Sequence, residues 1–186
     1  MAVPLAAFGA GALVALLVGV LGTVHAPSLG GTTTLGFDTV LQMKVVVSTV
    51  IGLLAILQVL GALVTYGKLG ITAPSWLGTA HRTGGTIAVI LSVFVAYHCL
   101  WSLGLQTVAI AGGGAVPLRT MVHGLAGCAV VGAIVVKVTA VRSRRSPGWF
   151  LPVAGGLLFA LLVVVVLTSV VWYLGENGWP GSGGYS

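Results

Sequence analysis

The sequence predicts an all-α fold: a polytopic membrane bundle of five transmembrane helices forming a single domain. Composition carries the first half of that expectation. Of 186 residues, 58% are hydrophobic and only 5% are charged, whereas a soluble surface needs roughly a quarter or more charged residues. Patterning carries the second half. Apolar runs of about 20 residues recur along the chain, each long enough to cross a hydrocarbon core of roughly 30 Å. The 29 glycines suit close helix packing and short loops in lipid. The formal charge of +6 is no nucleic-acid signature, because the basic residues fall at helix ends rather than in one soluble patch. The expected partner is the lipid bilayer, and no nucleic acid.

The first span covers about residues 5–24 and ends at His25-Ala26-Pro27. It lacks a basic leading segment, and Pro27 directly follows the stretch that would otherwise resemble a cleavage site, so it reads as a retained helix. A Gly/Thr-rich loop leads to the second span, 38–66, where Asp38 is the expected N-cap. A short loop with Lys68, Pro74 and Trp76 precedes the third span, 79–105. The Gly112-Gly113-Gly114 loop leads to Pro117, which suits the first turn of a fourth span, 117–141. Arg142-Ser143-Arg144-Arg145-Ser146-Pro147 is a tight basic turn. The fifth span, 149–174, is bracketed by Trp149/Phe150 and Trp172/Tyr173, read as an aromatic belt. Residues 175–186 read as a Gly-rich tail.

Basic residues set the expected orientation. Lys68, Arg82, Lys137, Arg142, Arg144 and Arg145 fall on one side of the alternating spans; Lys44 and Arg119 fall on the other, with the acids Asp38 and Glu176. The positive-inside rule then puts the N-terminus in the cytoplasm and the C-terminus outside, as a multi-pass membrane protein.

Two of the four histidines, His98 and His123, stand inside apolar spans. An intramembrane histidine is costly to bury and is a functional candidate by default. With the third and fourth spans antiparallel, His98 sits about 10 Å and His123 about 9 Å below the outer surface. Matched depth on successive helices is what a haem iron needs for axial ligation from both faces. Arg119 lies one turn outward of His123 on the same face, where a guanidinium pairs with propionates. Gly127 lies one turn inward and offers no side chain to block a flat macrocycle. Phe94 and Trp101 flank His98 and are expected to pack on the porphyrin; Lys44 is a second propionate partner or a snorkelling lysine. A metal without a macrocycle is disfavoured, because no carboxylate or thiolate completes a usual site.

His81-Arg82 at the cytoplasmic start of the third span reads as an interfacial anchor, a quinone head-group site, or a ligand to a second haem. No other histidine lies at that depth, so a second haem at His81 or His25 would need a ligand from another subunit. His25 itself reads as a solvated loop residue. Cys99 and Cys128 read as small buried apolar residues, since a thiol relay would want paired, accessible thiols.

The His81-Arg82-x-x-Gly85 run resembles the His-Arg-x-x-Gly run in membrane anchors of succinate dehydrogenase, where it lies near the quinone. The segments Ala96-Tyr97-His98-Cys99, Arg119-x-x-x-His123-Gly124-x-x-Gly127 and Val141-Arg142-Ser143-Arg144-Arg145-Ser146-Pro147-Gly148-Trp149 resemble a family of small actinobacterial multi-helix membrane proteins of unknown function. That likeness covers roughly 79–174. The architecture also resembles membrane b-type cytochromes of the ferric-reductase-like and two-haem kinds. Those carry two histidine pairs at two depths where this chain has one, so a haem-to-haem relay across the membrane is not expected.

The expected function is a b-type cytochrome membrane subunit. It would carry one haem b, ligated by His98 and His123, in the outer half of the bilayer. Electrons would pass between the quinone pool and a partner redox protein. The small extramembrane mass leaves no room for a flavin or iron–sulfur domain, so the chain is expected to serve an oxidoreductase complex rather than to act as an enzyme alone. The alternatives are a cofactor-free structural or anchoring subunit and a proton-coupled transporter. The transporter is opposed by spans without interior acids or an inverted repeat.

Overall fold

The architecture is that of a computed structural model, which describes residues 2–28, 30–105, 116–143 and 145–181. All regular structure among them is helical. Five helices are long and apolar enough to cross a membrane, making this a multi-pass membrane protein. They are α1 (Ala2–Val24), α2 (Val40–Thr65), α3 (Leu77–His98), α4 (Leu118–Arg142) and α5 (Phe150–Val166). α3 runs on through a π-turn, Cys99–Leu103. α5 runs on through a second, Leu167–Val171, into a last short helix, α6 (Trp172–Asn177).

The expected spans are recovered with small shifts, each with a local cause. α2 is capped by Thr39, not Asp38: the Thr39 hydroxyl accepts from the Gln42 N–H at 3.1 Å. Pro117 is the N-cap of α4 rather than its first helical residue. The last span continues to Asn177, so Glu176 is helical and the Gly-rich tail begins later than expected. The Gly112-Gly113-Gly114 loop and Arg144 lie outside the described residues.

Lipid gives helices no hydrophobic reason to associate, so close contact falls to small residues. The helices neighbour one another in the order α1, α4, α5, α2, α3, and the π-turn of α3 returns to touch α1. α3 and α4 barely meet directly. α1 approaches α4 where Gly11 faces Gly132: a Cβ on Gly11 would stand 2.7 Å from the Gly132 carbonyl oxygen, and one on Gly132 would run into the Gly11 carbonyl. Beside this contact Ala7, Val136, Ala140, Phe150 and Ala154 form a core between α1, α4 and α5. Val130, Ala133 and Leu158 continue it between α4 and α5. Val45, Val170 and Tyr173 join α2 to the end of α5.

Half of the aromatic belt is therefore core. Phe150 is fully buried against Phe8, with ring centroids 5.8 Å apart, and Tyr173 is buried against α2, while Trp149 and Trp172 remain exposed. Leu5, Leu13, Leu16, Leu17 and Leu21 of α1 remain exposed, as a lipid-facing surface requires.

Gly132→Ala is expected to lower stability by roughly 1–3 kcal/mol, because backbone rather than a flexible side chain blocks the added methyl. At Gly127 a Cβ would meet nothing within 4 Å. Gly127→Ala should hold or raise stability. Thermal melting of both variants in one detergent checks the contrast.

Candidate functional site

A cavity of about 320 Å³ lies in the gap between α3 and α4, walled also by α2 and α5. That is within the usual range for small-ligand sites. Its walls are mostly apolar, and four of the residues singled out above line it: Lys44, Arg119, His123 and Gly127. Cys99 and Cys128 line it too, as free thiols.

Each polar group has a local reason for its position. Arg119 stands one residue inside the N-terminus of α4, and its Nη1 donates to the Thr168 carbonyl at 2.8 Å. Its guanidinium also lies over the Trp172 ring, 3.6 Å from the centroid, a cation–π contact that fixes its plane. One turn deeper, His123 Nδ1 is 3.1 Å from the Thr168 hydroxyl. Lys44 is only 7% exposed and has no hydrogen-bond or ion-pair partner among the described residues. Both Lys44 and Arg119 act electrostatically on His123. Two cations thus face one low-dielectric space, while the chain's two acids, Asp38 and Glu176, lie at the ends of the spans. An unpaired cation in an apolar wall is unfavourable, and among the described residues Lys44, unlike Arg119, has no partner that offsets the cost.

His98 takes another direction. It is 2% exposed and does not line the cavity. Its Nδ1–H donates to the Phe94 carbonyl at 2.9 Å, and its Nε2 accepts from the Thr33 N–H at 3.2 Å. Both ring nitrogens are satisfied. Phe94 packs against His98, with ring centroids 4.4 Å apart and planes tilted by 51°, and does not line the cavity. Trp101 donates from Nε1 to the Gly30 carbonyl at 2.8 Å and stacks on His25 at 4.2 Å. His25 is therefore half-buried against an aromatic ring, not a solvated loop residue. Residues 94, 98 and 101 share one helix face, and that face grips the α1–α2 loop. The cavity face carries Ser92, Ala96 and Cys99.

His81 lies at the far end of α3 beside Gly61 of α2, within electrostatic reach of Lys137; Arg82 is exposed. Neither joins the cavity. Near them Gln58 packs on Gly84 and Gly85 with its Oε1 buried and unpartnered. Thr168 and Trp172 orient the site, and the sequence alone gives neither of them that role. A threonine in a valine run gives no sign of its partner, and Trp172 reads there as a membrane-interface anchor.

A haem ligated from both faces needs two free imidazole nitrogens on one cavity. This arrangement offers one, Nε2 of His123, with Arg119 and Lys44 beside it for carboxylates and Gly127 leaving the α4 face open. The donor set fits a haem held by His123, and does not fit axial ligation by His98 while Thr33 occupies its Nε2.

A family model described as a family of unknown function (DUF6529) matches residues 1–181. The chain belongs to that family. No curated protein and no solved structure matches it. Membership in DUF6529 spans nearly the whole bundle and brings no ligand or activity with it.

Lys44→Met should raise the thermal stability of the ligand-free protein by about 1 kcal/mol or more, because it removes an unpaired cation from an apolar site. The same substitution should weaken binding of a dicarboxylate such as haem. Melting curves with and without haem separate the two effects.

Proposed function

We propose that the chain is a membrane subunit of a bacterial plasma-membrane redox complex, binding one b-type haem in the outer-half cavity. It would pass electrons between the quinone pool and a partner redox protein. The observation that carries this reading is the meeting of an imidazole with a free nitrogen and two acid-less cations in one apolar cavity. Haem has the matching chemistry: an apolar macrocycle, an iron that takes imidazole, and two carboxylates. When bound it supplies one-electron transfer at a potential tuned by ligation, hydrogen bonding and burial. His123 is the ligand from this chain. Arg119, already held by Thr168 and Trp172, receives one carboxylate with little loss of side-chain freedom. Lys44 neutralises the other. The valine, leucine and isoleucine walls exclude water and strengthen each of these pairings.

The reading predicts a visible spectrum with a Soret band in protein expressed with ample haem. His123→Ala should abolish it, and His25→Ala and His98→Ala should leave it in folded protein. If His98→Ala also abolishes the band without unfolding the chain, His98 leaves Thr33 to become the second ligand. A colourless folded wild type under those conditions sinks the haem reading.

A second reading is a cofactor-free structural or anchoring subunit. It is favoured by the hydrogen bonding of His98, whose two nitrogens are satisfied within the chain, and of His123, which binds Thr168 as a packing residue would.

A further inference from the structure

The α5 helix departs from α geometry at Leu167–Val171, beside the cavity. In a regular helix the Thr168 carbonyl would accept the N–H of Trp172. Here the Trp172 N–H donates to the Ser169 carbonyl instead. The Thr168 carbonyl is taken by Arg119. Turns of this kind recur at functional sites because they turn backbone groups toward other partners.

The Thr168 hydroxyl has one proton. Its Oγ1 lies 2.7 Å from the Val164 carbonyl and 3.2 Å from that of Val165, and these acceptors take the proton. Toward His123 Nδ1 the hydroxyl is then left to accept. That contact therefore requires a hydrogen on Nδ1, and Nε2 keeps its lone pair.

We propose that Thr168 is the positioning residue of the cavity: its hydroxyl holds His123 as the Nδ1–H tautomer, and its carbonyl anchors Arg119. Nε2 is thereby kept as the electron-pair donor of the site. A ring nitrogen serves as a metal ligand only when it is unprotonated, and the hydrogen bond made by the other nitrogen decides which one that is. The tautomer follows from hydrogen bonds alone; its use as an iron ligand rests on the proposed function.

The test is nitrogen NMR of ¹⁵N-histidine-labelled, haem-free protein in detergent at neutral pH, with His123 assigned from the spectrum of His123→Ala. Wild type should show Nδ1 in the protonated range and Nε2 in the unprotonated range. Thr168→Val, which keeps the shape and loses the acceptor, should lose that pure pattern and populate the Nε2–H form; Thr168→Ser should retain it. A wild type in the Nε2–H form overturns the proposal, as does a folded Thr168→Val whose His123 signals do not move. If Thr168→Val does not fold, the wild-type spectrum and Thr168→Ala decide in the same way. No haem enters the measurement, so a colourless wild type would refute the haem reading and leave this result standing.

Discussion

The contact of Gly11 with Gly132 decides where α4 stands, and α4 carries Arg119, His123 and Gly127. In lipid the helices gain little from mutual burial as such, so position is set by how closely backbones meet. With α1 seated against the Gly132 face, α4 offers its next face to α5 through Val130 and Ala133. The face that remains looks across a gap at α3. The cavity is the space left over once α4 has satisfied its two tight neighbours. Small residues on one side of a helix thus leave room on another side of it.

Electrostatics and backbone geometry then act together on that space. A lysine and an arginine with no acid nearby are tolerable in an apolar wall only if their positions serve a purpose worth the desolvation. Arg119 offsets part of its cost through the Thr168 carbonyl and the Trp172 ring. Lys44 has no such relief among the described residues, and so has the greater need of an anion. The π-turn in α5 links backbone to electrostatics, because the local widening directs one carbonyl to a cation. The same residue's hydroxyl reaches the imidazole next to it.

The five spans are legible in the sequence because lipid imposes length and apolarity on each of them directly. Arg119, His123 and Gly127 are legible as a set for a similar reason: spacing of four on a helix puts them on one face whatever the helix packs against. The rotation of α3 is not legible. His98 and Cys99 differ by about 100° around the axis, and the flanking residues are apolar on both faces, since lipid and an apolar cavity impose the same hydropathy. Only the hydrogen bonds to the α1–α2 loop reveal which way His98 turns. Likewise Phe150 and Tyr173 carry the composition of an interfacial belt, and it is packing against α1 and α2 that draws them inward.

That grip on the α1–α2 loop divides sequence freedom unevenly. The groups it takes from the loop are main-chain atoms: the Ser28 N–H to the Trp101 carbonyl, the Gly30 carbonyl to the Trp101 indole, the Gly31 carbonyl to the Tyr97 hydroxyl, and the Thr33 N–H to His98. Any residue but proline supplies such atoms, so the grip itself asks little of the loop's side chains. Gly31 is an exception: it has a φ of +78°, and the Tyr97 hydroxyl lies 3.1 Å from where its Cβ would be. The cost of change falls on Tyr97, His98 and Trp101. A loop that drifts in composition while keeping its path would present a varying surface without disturbing the helices beneath.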